Sequence, residues 1–216
     1  MAKLRSGILG GISGTVGNVV GGRWRGIDYI RTKPASVKNP NTEAQRKQRM
    51  KFRLVMSLLK KIRPLINTGF RNAPANQTPM NRAMSLNLGQ AITGEYPDLE
   101  INPENLVFSD GDLSSGINPV MDASETGKVT LTWLNSSESG NAADQDGAVA
   151  LLYNIDRSEV VFKMNGASRE DETLEITIPQ SWEGNDIAGY LAFRSETDRS
   201  VSPNRFISIE TAAETP

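Results

Sequence analysis

The chain has 216 residues, with 24 Lys/Arg against 25 Asp/Glu and neither His nor Cys. That length supports one or two domains around a sizeable core. Missing Cys excludes disulfides, thiolate nucleophiles and Cys-ligated metals; missing His excludes a Ser-His-Asp triad, an HExxH zinc site and imidazole acid–base work.

At the start, Lys3 and Arg5 precede a glycine-rich apolar run. Gly7, Gly10, Gly11, Gly14 and Gly17 break any helical h-region and no Ala-x-Ala site follows, so no signal peptide is expected and the chain is placed in the cytoplasm at synthesis. No stretch reaches the ~18–20 apolar residues of a membrane helix, so no membrane association is expected. Two β-prone runs, one ending in Val19-Val20 and one spanning Arg23 to Arg31, flank Gly21-Gly22 and predict a hairpin. Pro34 ends its second strand. The glycine spacing is neither GxGxxG nor a P-loop, so these glycines read as close-packing positions.

Thr42 and Gln45 fit a capping box and open the clearest helix. Phe52, Val55, Met56, Leu59, Ile62 and Ile66 recur at helical spacing, with Leu54, Leu58 and Leu65 widening the apolar arc. Arg46, Arg49, Arg53 and Lys60 form a basic stripe, and Pro64 ends or kinks the helix. A second helix carries Met80, Ala83, Met84, Asn87, Leu88, Ala91 and Ile92 on one face, with Gly94 as its C-cap.

Beyond Pro97 the period changes to two. Strands are predicted near 105–109, 118–123, 127–134, 147–154, 158–164, 172–178, 187–195 and 204–210. Leu191 and Phe193 alternate with Tyr190 and Ala192, as in a sheet with one wet face. The fold class is therefore α+β: an N-terminal β-hairpin plus two helices, then an antiparallel immunoglobulin/fibronectin-III-like β-sandwich. Trp133 is the expected core anchor, and Trp182 covers one sandwich edge.

Charge divides the same way. Residues 1–94 hold 17 Lys/Arg against Asp28 and Glu43, a net +15; residues 95–216 hold 7 against 23 acids, a net −16. The break predicts a basic hairpin-and-helix unit over 1–97 and an acidic sandwich over 98–216. No catalytic residues, cofactor or metal are assigned. Asp110/Asp112 and Asp144/Asp146 lie in acidic turns; the second is an EF-hand fragment with Tyr153 where the last glutamate should stand, so calcium is left open and a solvated turn is the reading.

The candidate interaction surface is basic and aromatic: Arg23, Trp24, Arg25, Tyr29, Arg31, Arg46, Arg49, Arg53 and Lys60. Opposite-sign halves favour self-association or docking on other structural proteins. Phosphates of a nucleic acid are a second fit for the same cations.

Four ordered stretches carry a resemblance: Gly10-Gly11-Ile12-Ser13-Gly14-Thr15-Val16-Gly17, Arg23-Trp24-Arg25-Gly26-Ile27-Asp28-Tyr29, Asn39-Pro40-Asn41-Thr42-Glu43-Ala44-Gln45 and Ala91-Ile92-Thr93-Gly94-Glu95-Tyr96-Pro97. Over about residues 7–211 the chain resembles a family of Bacteroidota proteins known only as a domain of unknown function. The segment from Asn39 through Arg49 to Phe52 also looks like one in small phage and prophage proteins. Neither resemblance implies catalytic residues. The expected function is a non-catalytic structural or assembly protein, phage- or virion-associated, docking through its basic unit. A nucleic-acid-associated protein and a ligand- or carbohydrate-binding sandwich module are the alternatives.

Overall fold

The structure is a computed structural model that describes residues 3–4, 10–24, 26–36, 39–74, 76–138 and 140–208. By packing it divides into two units, 1–42 and 43–216.

The first unit is an antiparallel sheet in the order β1-β2-β3-β4, with β1 at Lys3–Leu4, β2 at Ile12–Val16, β3 at Val19–Trp24 and β4 at Ile27–Thr32. The expected hairpin is thus a larger sheet, and its turns are not at Gly21-Gly22. Those two glycines lie inside β3, paired with Ile30 and Tyr29. The chain reverses at 17–18, where Gly17 has φ +56°, and again between Trp24 and Ile27, where Gly26 has φ +87°. Two-residue hairpin turns need positive φ, which glycine adopts without strain. Gly21 serves packing instead: a Cβ there would collide with the Ile12 carbonyl oxygen.

In the second unit, α1 spans Glu43–Lys61, α2 Arg63–Gly69 and α3 Pro79–Gln90. There are therefore three helices among the described residues rather than two. Pro64 breaks the first helical pattern as expected, and the chain restarts as α2 with Pro64 in the first turn, where its missing N–H costs nothing. Thr78 caps α3 by accepting a hydrogen bond from the Asn81 amide. Gly94 is not that helix's cap. It sits at φ +80° in the turn joining β5 (Ile92–Thr93) to β6 (Glu100–Ile101).

Seven further strands follow: β7 (Ile117–Asp122), β8 (Lys128–Leu134), β9 (Gly147–Asn154), β10 (Glu159–Lys163), β11 (Thr173–Thr177), β12 (Ile187–Arg194) and β13 (Arg205–Ile207). They form two antiparallel sheets, β11-β8-β7 and β10-β9-β12-β13. The tail of the last predicted strand, 209–210, lies outside the described residues. The first predicted strand, near 105–109, does not form: Pro103–Asn105 is a 3-10 turn and the following residues join no sheet.

The two sheets enclose one core with Val129, Leu131, Trp133, Leu152, Leu174, Ile176, Trp182, Leu191 and Phe193. A second core lies on the other side of the four-stranded sheet, where Val149, Leu151, Tyr153, Ala188, Tyr190 and Ala192 meet Val55, Leu59, Ile62, Leu65, Ile66 and Met84 of the helices. β9 is consequently buried along its whole length, and β12 is buried up to Ala192 and Phe193. This corrects the wet face expected for β12. Tyr190 and Ala192 face helices, not water.

Helices, middle sheet and outer sheet make three layers, and hydrophobic packing runs across residue 97. The division by packing falls at 42/43, not at the charge break. Within this unit residues 43–94 carry ten Lys/Arg and one acid, so the basic helical layer backs an acidic sandwich.

Candidate interaction surface

The register of β3 on β4 sorts the first unit's side chains. Trp24 pairs with Ile27, Gly22 with Tyr29 and Val20 with Arg31. Paired residues in an antiparallel ladder point to the same side. One face therefore carries Trp24, Ile27, Tyr29, Val20 and Arg31. The Tyr29 ring lies over Gly22, where a Cβ would approach its hydroxyl to 2.9 Å. Trp24, Ile27 and Tyr29 line a shallow hollow.

The opposite face carries Val16, Val19 and Ile30, with Arg23 and Asp28 opposed at 3.8 Å. Arg23 also donates from Nε to the Gly26 carbonyl. Ile27 is 67% exposed, Trp24 63%, Ile30 61% and Val16 58%. Every residue of β4 is exposed. Among the described residues this sheet is apolar on both sides and little of that surface is buried.

The helical part of the surface is α1. Its buried residues are Val55, Leu58 and Leu59; Phe52, one turn earlier, is 48% exposed. Arg46, Arg49, Arg53 and Lys60 are exposed along one side of this helix. Lys61, beside them, donates to the Ser158 carbonyl at the β9–β10 turn. The expected surface thus belongs to two units: Arg23, Trp24, Tyr29 and Arg31 on the N-terminal sheet, and Arg46, Arg49, Arg53 and Lys60 on α1. Arg25 lies outside the described residues.

Two features escaped the sequence reading. The first is an exposed apolar cluster on the outer face of sheet β11-β8-β7, made by Ile117, Val120 and Leu134. Leu134 shares the parity of Lys128, Thr130 and Thr132, the outward set of β8, so the alternation itself carried this signal. Asp122 and Glu175 are exposed on the same face, where Lys128 meets Glu175 at 3.0 Å, and Glu172, also exposed, accepts from the Asn135 amide.

The second is a buried cation. Arg169 has no exposed surface and meets Asp146 at 3.0 Å. It donates from Nη1 to Ser136 Oγ and from Nη2 to the Ser114 carbonyl, and its guanidinium stands 4.0 Å from the centre of the Phe193 ring. Burial pulls its pKa down, and Asp146 and then Asp144 act against that. Asp146 also accepts from the Ala143 amide, so its carboxylate is committed to the fold. Asp144 is held below the usual carboxylate range, first by the Ser137 and Asn135 side chains.

At the opposite end of the sandwich, a groove of about 470 Å³ runs between residues 122–127 and 178–187. Trp182 reaches it from the core. It is only 1% exposed, and its Nε1 donates to Glu159 Oε2 at 2.8 Å. Among the described residues no cluster of three His, Cys, Asp or Glu is placed to hold a metal, and no helix is long and apolar enough to cross a membrane.

No curated protein matches the chain. The model of a family of unknown function, DUF6266, matches residues 11–208, which takes in the N-terminal sheet from β2 onward, all three helices and the whole sandwich. Consistent with the resemblance drawn from its glycine-rich and Asn-Pro-Asn-Thr segments, the chain belongs to the DUF6266 family.

Proposed function

We propose that the chain is a non-catalytic structural or assembly protein that docks through its basic N-terminal part, in a phage particle or another repeated array. The observation that carries this reading is the N-terminal sheet, with exposed apolar residues on both faces in a unit that holds seven Lys/Arg and one acid. Exposed apolar surface of this kind marks interaction sites. Composition adds support, since the absence of His and Cys removes the commonest acid–base and nucleophilic groups.

The test is sedimentation velocity across a concentration series, with pull-down from the host. Assembly predicts species larger than the 23.6 kDa monomer, or capture of a structural partner, and loss of either when residues 1–33 are deleted. A chain that stays monomeric and captures nothing overturns it. The exposed stripe Arg46, Arg49, Arg53 and Lys60 favours a second reading, nucleic-acid association. That reading predicts DNA retention falling steeply with salt and abolished by reversing the three arginines to Glu.

We also infer that β7–β13 form an immunoglobulin/fibronectin-III-like sandwich. The strand order supports it: the first, second and fifth strands share one sheet, and the fourth, third, sixth and seventh share the other. This is the immunoglobulin constant arrangement with the fourth strand moved to the opposite sheet. A crystal structure with β9 bonded to β8 as a simple hairpin, instead of to β12 in the other sheet, would remove this assignment.

A further inference from the structure

We propose that the partner of the N-terminal sheet is a second copy of this chain, and that the Ile27/Tyr29 face docks on the outer face of its β11-β8-β7 sheet at Ile117, Val120 and Leu134. This rests on the assembly reading and names the partner. Nine of the eleven exposed large apolar residues among the described ones fall in two places. Six are on the N-terminal sheet and three are on the outer sheet of the sandwich.

The two places carry opposite charge. Arg31 shares the face of Ile27 and Tyr29, and no acid lies on that face, since Asp28 points to the other side with Arg23. The receiving sheet carries Asp122 and Glu175 on its outer face with Lys128, which meets Glu175 at 3.0 Å and Glu125 at 3.6 Å, and Glu172 accepts from the Asn135 amide beside Leu134, so acids outnumber cations there. The docking face holds a shallow hollow lined by Trp24, Ile27 and Tyr29, and Ile117 and Leu134 on the receiving face are cross-strand neighbours on one side of their sheet. Apolar contact at the centre with opposite charges at the rim is the anatomy of a specific interface. The face with Val16, Val19 and Ile30 has its charges paired internally, which is why the other face is assigned to the acidic partner.

This contact joins different surfaces of the two copies. It is heterologous and propagates into a ring or filament. Complementation distinguishes it from a symmetric contact. Ile27→Glu destroys the docking face and leaves the receiving face intact; Leu134→Lys does the reverse. Both positions are exposed, and Ile27→Thr and Leu134→Thr serve as milder variants that keep strand propensity. Circular dichroism matching wild type establishes that each variant is folded.

In sedimentation velocity, each charged variant alone should weaken association by about thirtyfold, the effect of losing a central anchor. An equimolar mixture of the two should form a complex of twice the 23.6 kDa monomer and no larger, because each pair retains one wild-type contact. If Leu134→Lys keeps the wild-type size, the assembly reading stands and this contact is overturned, pointing to sheet-to-sheet pairing or another partner. If the mixture stays monomeric, the contact is overturned as well. A monomeric wild type that captures nothing removes both readings.

Discussion

Asn87 pairs with Val107 as a neighbouring strand would. Its Nδ2 donates to the Val107 carbonyl at 2.7 Å, and its Oδ1 accepts from the Val107 amide at 2.9 Å. Asn204 treats the adjoining backbone the same way, accepting from Phe108 and Ser109 and donating to Leu106. These side chains take the place of the ladder expected for residues 105–109. Asn87→Leu should therefore cost about 1–3 kcal/mol, because it strands both Val107 groups, even though leucine is similar in size. Chemical denaturation measures it. A loss below about 0.5 kcal/mol would show that water replaces the amide.

The Arg169–Asp146 pair yields an asymmetric expectation. Asp146→Ala leaves a fully buried guanidinium without its carboxylate and should cost about 3–5 kcal/mol. Adding Arg169→Met to that variant should recover part of the loss, since an apolar chain can lie against Phe193. A double variant less stable than the single would mean that the bonds to Ser114 and Ser136 matter more than the charge.

Trp133 and Trp182 are almost equally buried, at 3% and 1%. Each indole N–H is also bonded, to the Arg169 carbonyl and to Glu159 respectively. Replacing either with Ala should cost about 3–5 kcal/mol. The turn formers around Trp182 predict only an edge position, so a small loss at Trp182 and a large one at Trp133 would favour the sequence expectation over the structure.

The shared core bears on which fragment folds. A fragment of 98–216 exposes Val149, Leu151, Tyr153, Ala188 and Tyr190, which the helices cover in the intact chain. Each fully buried large apolar side chain contributes about 1.5–3 kcal/mol. The fragment should show a collapsed or aggregating sandwich by circular dichroism and light scattering, whereas 43–216 should melt cooperatively. A cooperative, monomeric 98–216 would place the folding boundary at the charge break after all.

What the sequence determined by itself was local. Helical spacing located the α1 core face, Pro64 located the break before α2, alternation located β8, β11 and β12, and apolar runs between turn clusters located the other strands of the sandwich. Lys/Arg and aromatic content marked the N-terminal part as a surface, since charge and exposure go together. The tertiary structure decided what each face meets. The alternation in β12 is the same whether its second face meets water or helices, because Tyr190 and Ala192 suit either. The glycines of β3 look like a turn until pairing places them beside Tyr29 and Ile12. Asn87 and Asn204 substitute for a strand only because distant segments bring them to Val107 and Phe108. Periodicity reports a side chain's direction along its own segment, and only packing between segments supplies the neighbour it points to.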